Sequence, residues 1–219
     1  MTHWHIQSIK DFQRAMTSYF CGNLCGFLPI TGCMYMTNEK IDNVCLKLVS
    51  FGIIPIDYYF ESEHFESQNK KDRQISKFRK RAFIHCICES VHIELAQTIL
   101  DFCSSDHHTS DLGKMSEISQ MPVLQIWNVE KNEWQETKEE QVKFSWSVKH
   151  ERFIRNFSRS VPPDNLGYYY AQGCFQNVLH FTIVQQDWNQ ERNTVFDSIE
   201  KCVTEMSRRD AESQIDSTE

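Results

Sequence analysis

Three of the nine cysteines and four of the nine histidines fall within 27 residues, AFIHCICESVHIELAQTILDFCSSDHH (82–108). These side chains bind zinc, move protons or act as thiol nucleophiles, and their spacing decides which of these is open to them. On a strand, Cys86 and Cys88 point to one face while His85 and Ile87 point to the other. In the helix expected next, His92 and Cys103 share a face but stand about 16 Å apart along the axis, too far to hold one ion. A zinc site would have to recruit Cys103, His107 and His108, or pair Cys21 and Cys25 with a distant partner. No cysteine pair here has the C-x2-C spacing of common structural zinc sites, and the C-x3-C of Cys21 and Cys25 lacks a matching second half. The expectation is therefore buried thiols in a reduced core, with no metal and no cofactor.

The other chemical stretch is LHFTIV (179–184), in which His180 and Thr182 share a strand face. It resembles the hydrophobic-His-x-Thr-hydrophobic element of the two-histidine phosphoesterases. That resemblance, which covers these few residues only, implies paired motifs on facing strands, one histidine acting as general base and the other as general acid on a phosphodiester. The place equivalent to a second motif reads His85-Cys86-Ile87, with Ile87 where a serine or threonine would stand. HHT (107–109) has the letters but falls in a polar stretch. The catalytic candidates are thus His180, Thr182 and His85, with His107 as the alternative to His85. Gly-rich phosphate loops, G-x-S-x-G and H-E-x-x-H are absent, and seven glycines leave little material for a nucleotide cradle.

Charge is segregated along the chain. KKDRQISKFRKR (70–81) and KHERFIRNFSR (149–159) together hold 11 of the 23 Lys and Arg, while the other 196 residues carry 12 basic against 28 acidic side chains. Placed on helices, Lys70, Arg73, Lys77, Lys80 and Arg81 form one basic stripe, and Lys149, Arg152, Arg155 and Arg159 another. Two such stripes on an acidic body suit a phosphate backbone. GYYYAQG adds Tyr168, Tyr169 and Tyr170 as stacking platforms for unpaired bases. An acidic run, DYYFESEHFE (57–66), lies close to the first basic one and could instead pair with it.

The elements that must position these residues are read from periodicity. Residues 6–20 predict an amphipathic helix closed near Gly22. GFLPITGCMYMT and VCLKLVSFGIIPIDYYFES predict two or three strands, AFIHCIC a strand, and SVHIELAQTILDFC a helix. PVLQIWNV and QVKFSWSV predict a hairpin or meander, followed by a helix over 149–159, strands at GYYYAQG and NVLHFTIVQQ, and a last helix from about Asn189 to Met206. The fold class is α+β, an antiparallel sheet with packed helices, one arrangement being two similar split-βαβ (ferredoxin-like) halves that carry His85 and His180 on equivalent strands. The boundaries read as an N-terminal half at 1–105, a polar linker at 106–120, a C-terminal half at 121–206 and a disordered polar tail at 207–219.

A net charge of −7 argues against uniform attraction to nucleic acid or anionic lipid, so any such binding is local. No segment approaches the 18 apolar residues of a membrane span, the start lacks an export signal, and the odd cysteine count points to a reducing, cytoplasmic compartment, or a nuclear one in a eukaryote. The leading expectation is a non-enzymatic module that binds RNA or single-stranded DNA. The alternatives are a module that meets an acidic protein, and a two-histidine phosphodiesterase or ribonuclease.

Overall fold

Helix α1 (Ile9–Phe20) begins three residues later than the spacing over 6–20 implies, because Trp4–Ile6 form a strand and Ser8 supplies the N-cap. The Ser8 hydroxyl accepts from the Asp11 backbone N–H at 3.2 Å and donates to the Asp11 carboxylate at 2.9 Å, a reciprocal N-cap. Its buried residues Ile9, Phe12, Ala15, Met16, Tyr19 and Phe20 recur at helical spacing, and the chain leaves through Gly22 at φ +74°. The computed structural model describes residues 4–23, 39–59, 63–68, 75–114, 124–136, 168–170, 178–188 and 194–216. In chain order these form β1 (Trp4–Ile6), α1 (Ile9–Phe20), α2 (Glu39–Ser50), β2 (Ile53–Tyr59), β3 (Glu63–Gln68), β4 (Ile75–Lys80), β5 (Phe83–Glu89), α3 (Ile93–Cys103), β6 (His107–Thr109), β7 (Gly113–Lys114), β8 (Leu124–Asn128), β9 (Glu133–Glu136), β10 (Tyr168–Tyr170), β11 (Val178–Gln185) and α4 (Thr194–Asp216).

The fold class is α+β, as the periodicity implies. The main sheet runs β2-β5-β11-β6, antiparallel throughout, with β7 also pairing β11. One face packs on the helices. Tyr58, on that face, meets Phe20 of α1 at 6.4 Å and Phe196 of α4 at 5.8 Å between ring centroids. Cys86, Phe181 and Ile183 join the same core as Ala96 and Ile99 of α3 and Val195 and Ile199 of α4. A second antiparallel sheet runs β3-β4-β8-β9, and β1 pairs with β10 in parallel.

Several elements differ from the periodicity reading. VCLKLVS is helical, not extended, because Ile41, Val44, Cys45, Leu48 and Val49 recur at intervals of three and four and are all buried. The basic window is no helix over Ile75–Lys80. That segment is strand β4, paired along its length with β3 and over Phe78–Lys80 also with β8. Its basic residues meet the acidic strand in register: Glu66 opposes Lys77, 3.6 Å between charged atoms, and Glu63 opposes Lys80.

The stretch read as a linker carries β6 and β7, both hydrogen-bonded to β11. α4 continues to Asp216, through most of the segment expected to be a disordered tail. β5 and β11, expected on two facing halves, are adjacent strands of one sheet. GFLPITGCMYMT, QVKFSWSV and 149–159, where a helix is expected, lie outside the described residues, as do Lys70 and Arg73. Among the described residues no helix is long and apolar enough to cross a membrane.

Candidate functional site

The pairing of β5 with β11 sets His85 opposite Thr182 and Ile87 opposite His180. Residues paired across an antiparallel ladder point to the same side, so His85, Ile87, His180 and Thr182 share the face turned away from the helices. His85 Nδ1 and Thr182 Oγ1 are 2.7 Å apart, a hydrogen bond whose direction follows the ring tautomer. The His85 and His180 rings stack 5.6 Å apart, 5° from parallel. All three catalytic candidates therefore meet at one place, where His85 is fully buried and His180 and Thr182 are nearly so.

The backbone that aims Thr182 is gripped from the next strand. The Thr182 N–H donates to Ser110 Oγ at 2.8 Å, and the Ser110 N–H donates to the Thr182 carbonyl at 2.9 Å. On the same side Gly113 opposes His180, and a Cβ there would lie 4.0 Å from His180 Nε2. Ser110 also lines a cavity of about 400 Å³ between α3 and the β6–β7 turn, along with Ile93, Gln97, Leu100, Asp101 and Asp111.

Burial, with the neighbouring His180 as the smaller cause, pulls the His85 pKa down to about 3, so the ring is neutral at physiological pH. A neutral ring that donates from Nδ1 to Thr182 carries its basic lone pair on Nε2. The ring is thus unprotonated, as a general base must be, while burial also makes its Nε2 a weak base until a nearby anion raises its pKa.

His107, the alternative partner, lies apart from this group. Its Nε2 is 3.0 Å from Ser198 Oγ of α4, and it pairs with Gln185 at the end of β11, three residues beyond Thr182. Burial pulls its pKa down. The thiols lie on the helix side of the sheet. Cys45, Cys86, Cys88, Cys103 and Cys202 are buried and unoxidised, and burial pushes Cys88 and Cys202 up to about 11 and Cys103 to about 12. Thiols with pKa values this high are poor nucleophiles at neutral pH. Among the described residues no group of three or more His, Cys, Asp and Glu could hold a metal ion.

The described part of the first basic run is largely occupied by aromatic rings. The Arg79 guanidinium lies 4.7 Å from the Trp134 ring and 5.4 Å from Trp188, and its Nε donates to Gln125 Oε1 at 2.7 Å. Arg81 is buried 4.4 Å from Trp188, and burial pulls its pKa down to about 10. Lys80 caps Tyr59 at 3.8 Å. Lys77 alone of the four basic residues from 77 to 81 is exposed. The expected five-residue stripe thus does not form here: on a strand Lys77 and Lys80 point to opposite faces, and Arg81 is buried beside Trp188. Tyr168–Tyr170 form β10, and their side chains lie outside the description. Lys149, Arg152, Arg155 and Arg159 lie outside it altogether.

Ser110, Gly113, Tyr59 and Trp188 are the neighbours that sequence reading did not single out. None carries a local signal, since each becomes relevant only through strand pairing. Comparison with protein-family models finds no match, and comparison with curated proteins finds no significant relative.

Proposed function

We propose that the His85–Thr182–His180 face handles a phosphodiester, with RNA as the substrate class. The observation that carries this is the cross-strand pairing itself, which sets a hydroxyl-held neutral histidine and a second histidine within one ring-stacking distance on one sheet face. In the reaction this arrangement supports, His85 Nε2 accepts the proton of the attacking 2′-hydroxyl and the new P–O bond forms. His180, entering as the imidazolium, gives its proton to the leaving 5′-oxygen as the old P–O bond breaks. The products are a 2′,3′-cyclic phosphate and a 5′-hydroxyl, and no further reactant is needed. Anionic phosphate beside the rings favours the charged imidazolium and so opposes the effect of burial. Both rings are shielded from solvent, so substrate reaches them only after this face opens.

A second reading is binding of RNA or single-stranded DNA without turnover. Its support is Ile87, which offers His180 no hydroxyl where Thr182 offers one to His85. The charge segregation serves either reading, with Lys77 and the basic residues of 149–159 as contacts to the backbone.

The test is cleavage of short RNA by the full chain, followed by product analysis for cyclic phosphate. Turnover that drops about 10²-fold or more in His180→Ala and His85→Ala, with RNA affinity kept, supports the enzyme. Salt-sensitive binding with no product supports the second reading. No affinity for RNA or single-stranded DNA at low salt removes both, and retention of an acidic protein by the basic runs then becomes the alternative.

A further inference from the structure

On the same sheet face, the row next to His85 and Thr182 consists of Tyr59, Phe83 and Val184, paired Tyr59 to Phe83 and Phe83 to Val184. These three form a small apolar cluster separate from the main core, and Tyr59 is its partly exposed member. The Lys80 ammonium sits over it, 3.8 Å from the Tyr59 ring centroid and 5.8 Å from that of Phe83. Same-face rows of a strand repeat at about 7 Å, the scale on which a ribose holds a base away from its phosphate. An electron-rich ring with a long-stemmed cation on its face, one row from His85 and two rows from His180, matches a nucleotide, whereas a sugar phosphate or a simple phosphate would leave the ring unused.

We infer that Tyr59 is the base platform of this site and Lys80 its phosphate contact, so that the substrate is a nucleotide phosphodiester whose base stacks on the Tyr59 face. The inference rests on the phosphodiester reading above. Lys80 carries a flexible stem of four methylenes, so its ammonium can leave the ring for an arriving phosphate, exchanging one favourable partner for another as the base takes the vacated face. Phe83, buried and paired with Tyr59 across the ladder, packs against the tyrosine and holds it in place.

Isothermal titration of the full chain with adenosine 3′-monophosphate, ribose 5-phosphate and inorganic phosphate tests this. The nucleotide should bind about fivefold or more tighter than ribose 5-phosphate. Tyr59→Leu, which keeps apolar volume but removes the π face, should erase that preference without weakening ribose 5-phosphate. Tyr59→Phe should retain it, which separates loss of stacking from loss of folding. Equal affinity for nucleotide and sugar phosphate, or a preference unchanged in Tyr59→Leu, overturns the base platform and leaves the phosphate site standing. If none of the three probes binds, the phosphodiester reading fails and this inference fails with it.

Discussion

Acidification should destabilise this protein through His85, by an amount that follows from its burial. Unfolded, the imidazole titrates near 6.5, and in the fold it titrates at about 3. Between those values the unfolded chain holds a proton that the folded chain excludes. The stability gained by keeping the ring neutral is therefore complete above pH 6.5 and is lost as the pH falls toward 3. One proton corresponds to a slope of about 1.4 kcal/mol per pH unit, so lowering the pH from 7 to 5 should remove about 2 kcal/mol. The assay is urea unfolding of wild type and His85→Asn at pH 7, 6 and 5. Asparagine places an amide atom where Nδ1 meets Thr182 but does not titrate. The variant should start less stable because of the cavity it leaves, and lose less on acidification, by about 2 kcal/mol over the two pH units. Parallel pH profiles for the two proteins would refute a neutral ring buried against Thr182, and with it the assignment of His85 as a base.

Three other outcomes follow from particular contacts. Thr182→Val keeps the shape but removes the hydroxyl bonded to buried His85 Nδ1, and should cost about 1–3 kcal/mol in the same unfolding assay at pH 7, with Thr182→Ser recovering most of it. Gly52 stands at φ +76° with the His92 ring where a Cβ would be, so Gly52→Ala should lower the thermal midpoint by the equivalent of about 1 kcal/mol or more. Asp42 is buried, and burial raises its carboxyl to about 6. A raised carboxyl favours the folded state at low pH and disfavours it as the pH climbs through 6. Asp42→Asn should therefore stabilise at pH 8, with a gain that shrinks toward pH 5, read by thermal melts at both.

Much of the local structure is legible from single residues. The apolar spacing over 6–20 marks α1 apart from its first residues, the short apolar runs FIHCIC and VLHFTIV mark β5 and β11, and the apolar stripe of Val195, Ile199, Cys202, Val203 and Met206 marks α4. The basic window misleads because helical spacing of its cations does not exclude a strand, and the pairing with the acidic run that decides between them, Glu63 with Lys80 and Glu66 with Lys77, is a contact between strands that spacing does not carry. VCLKLVS misleads in the opposite sense. Its β-branched residues favour strands, but the burial of one face against β2 and α4 outweighs a propensity of a few tenths of a kcal/mol per residue. HHT looks like linker because three polar residues carry no hydrophobic period, yet a strand edge needs only backbone groups to pair with β11.

The sequence by itself determines the chemical groups available and the faces they share. His180 lies with Thr182, His85 lies with Ile87, and the thiols of Cys86 and Cys88 are turned away from both, because alternation is a local property of extended chain. Only the tertiary structure decides that the two histidines meet. The pairing of β5 with β11 joins residues nearly a hundred positions apart and selects one register, and a slip of a single residue would turn every side chain of β11 to the opposite face. That register, fixed by burying Phe181 and Ile183 against the helices, places the Thr182 hydroxyl against His85.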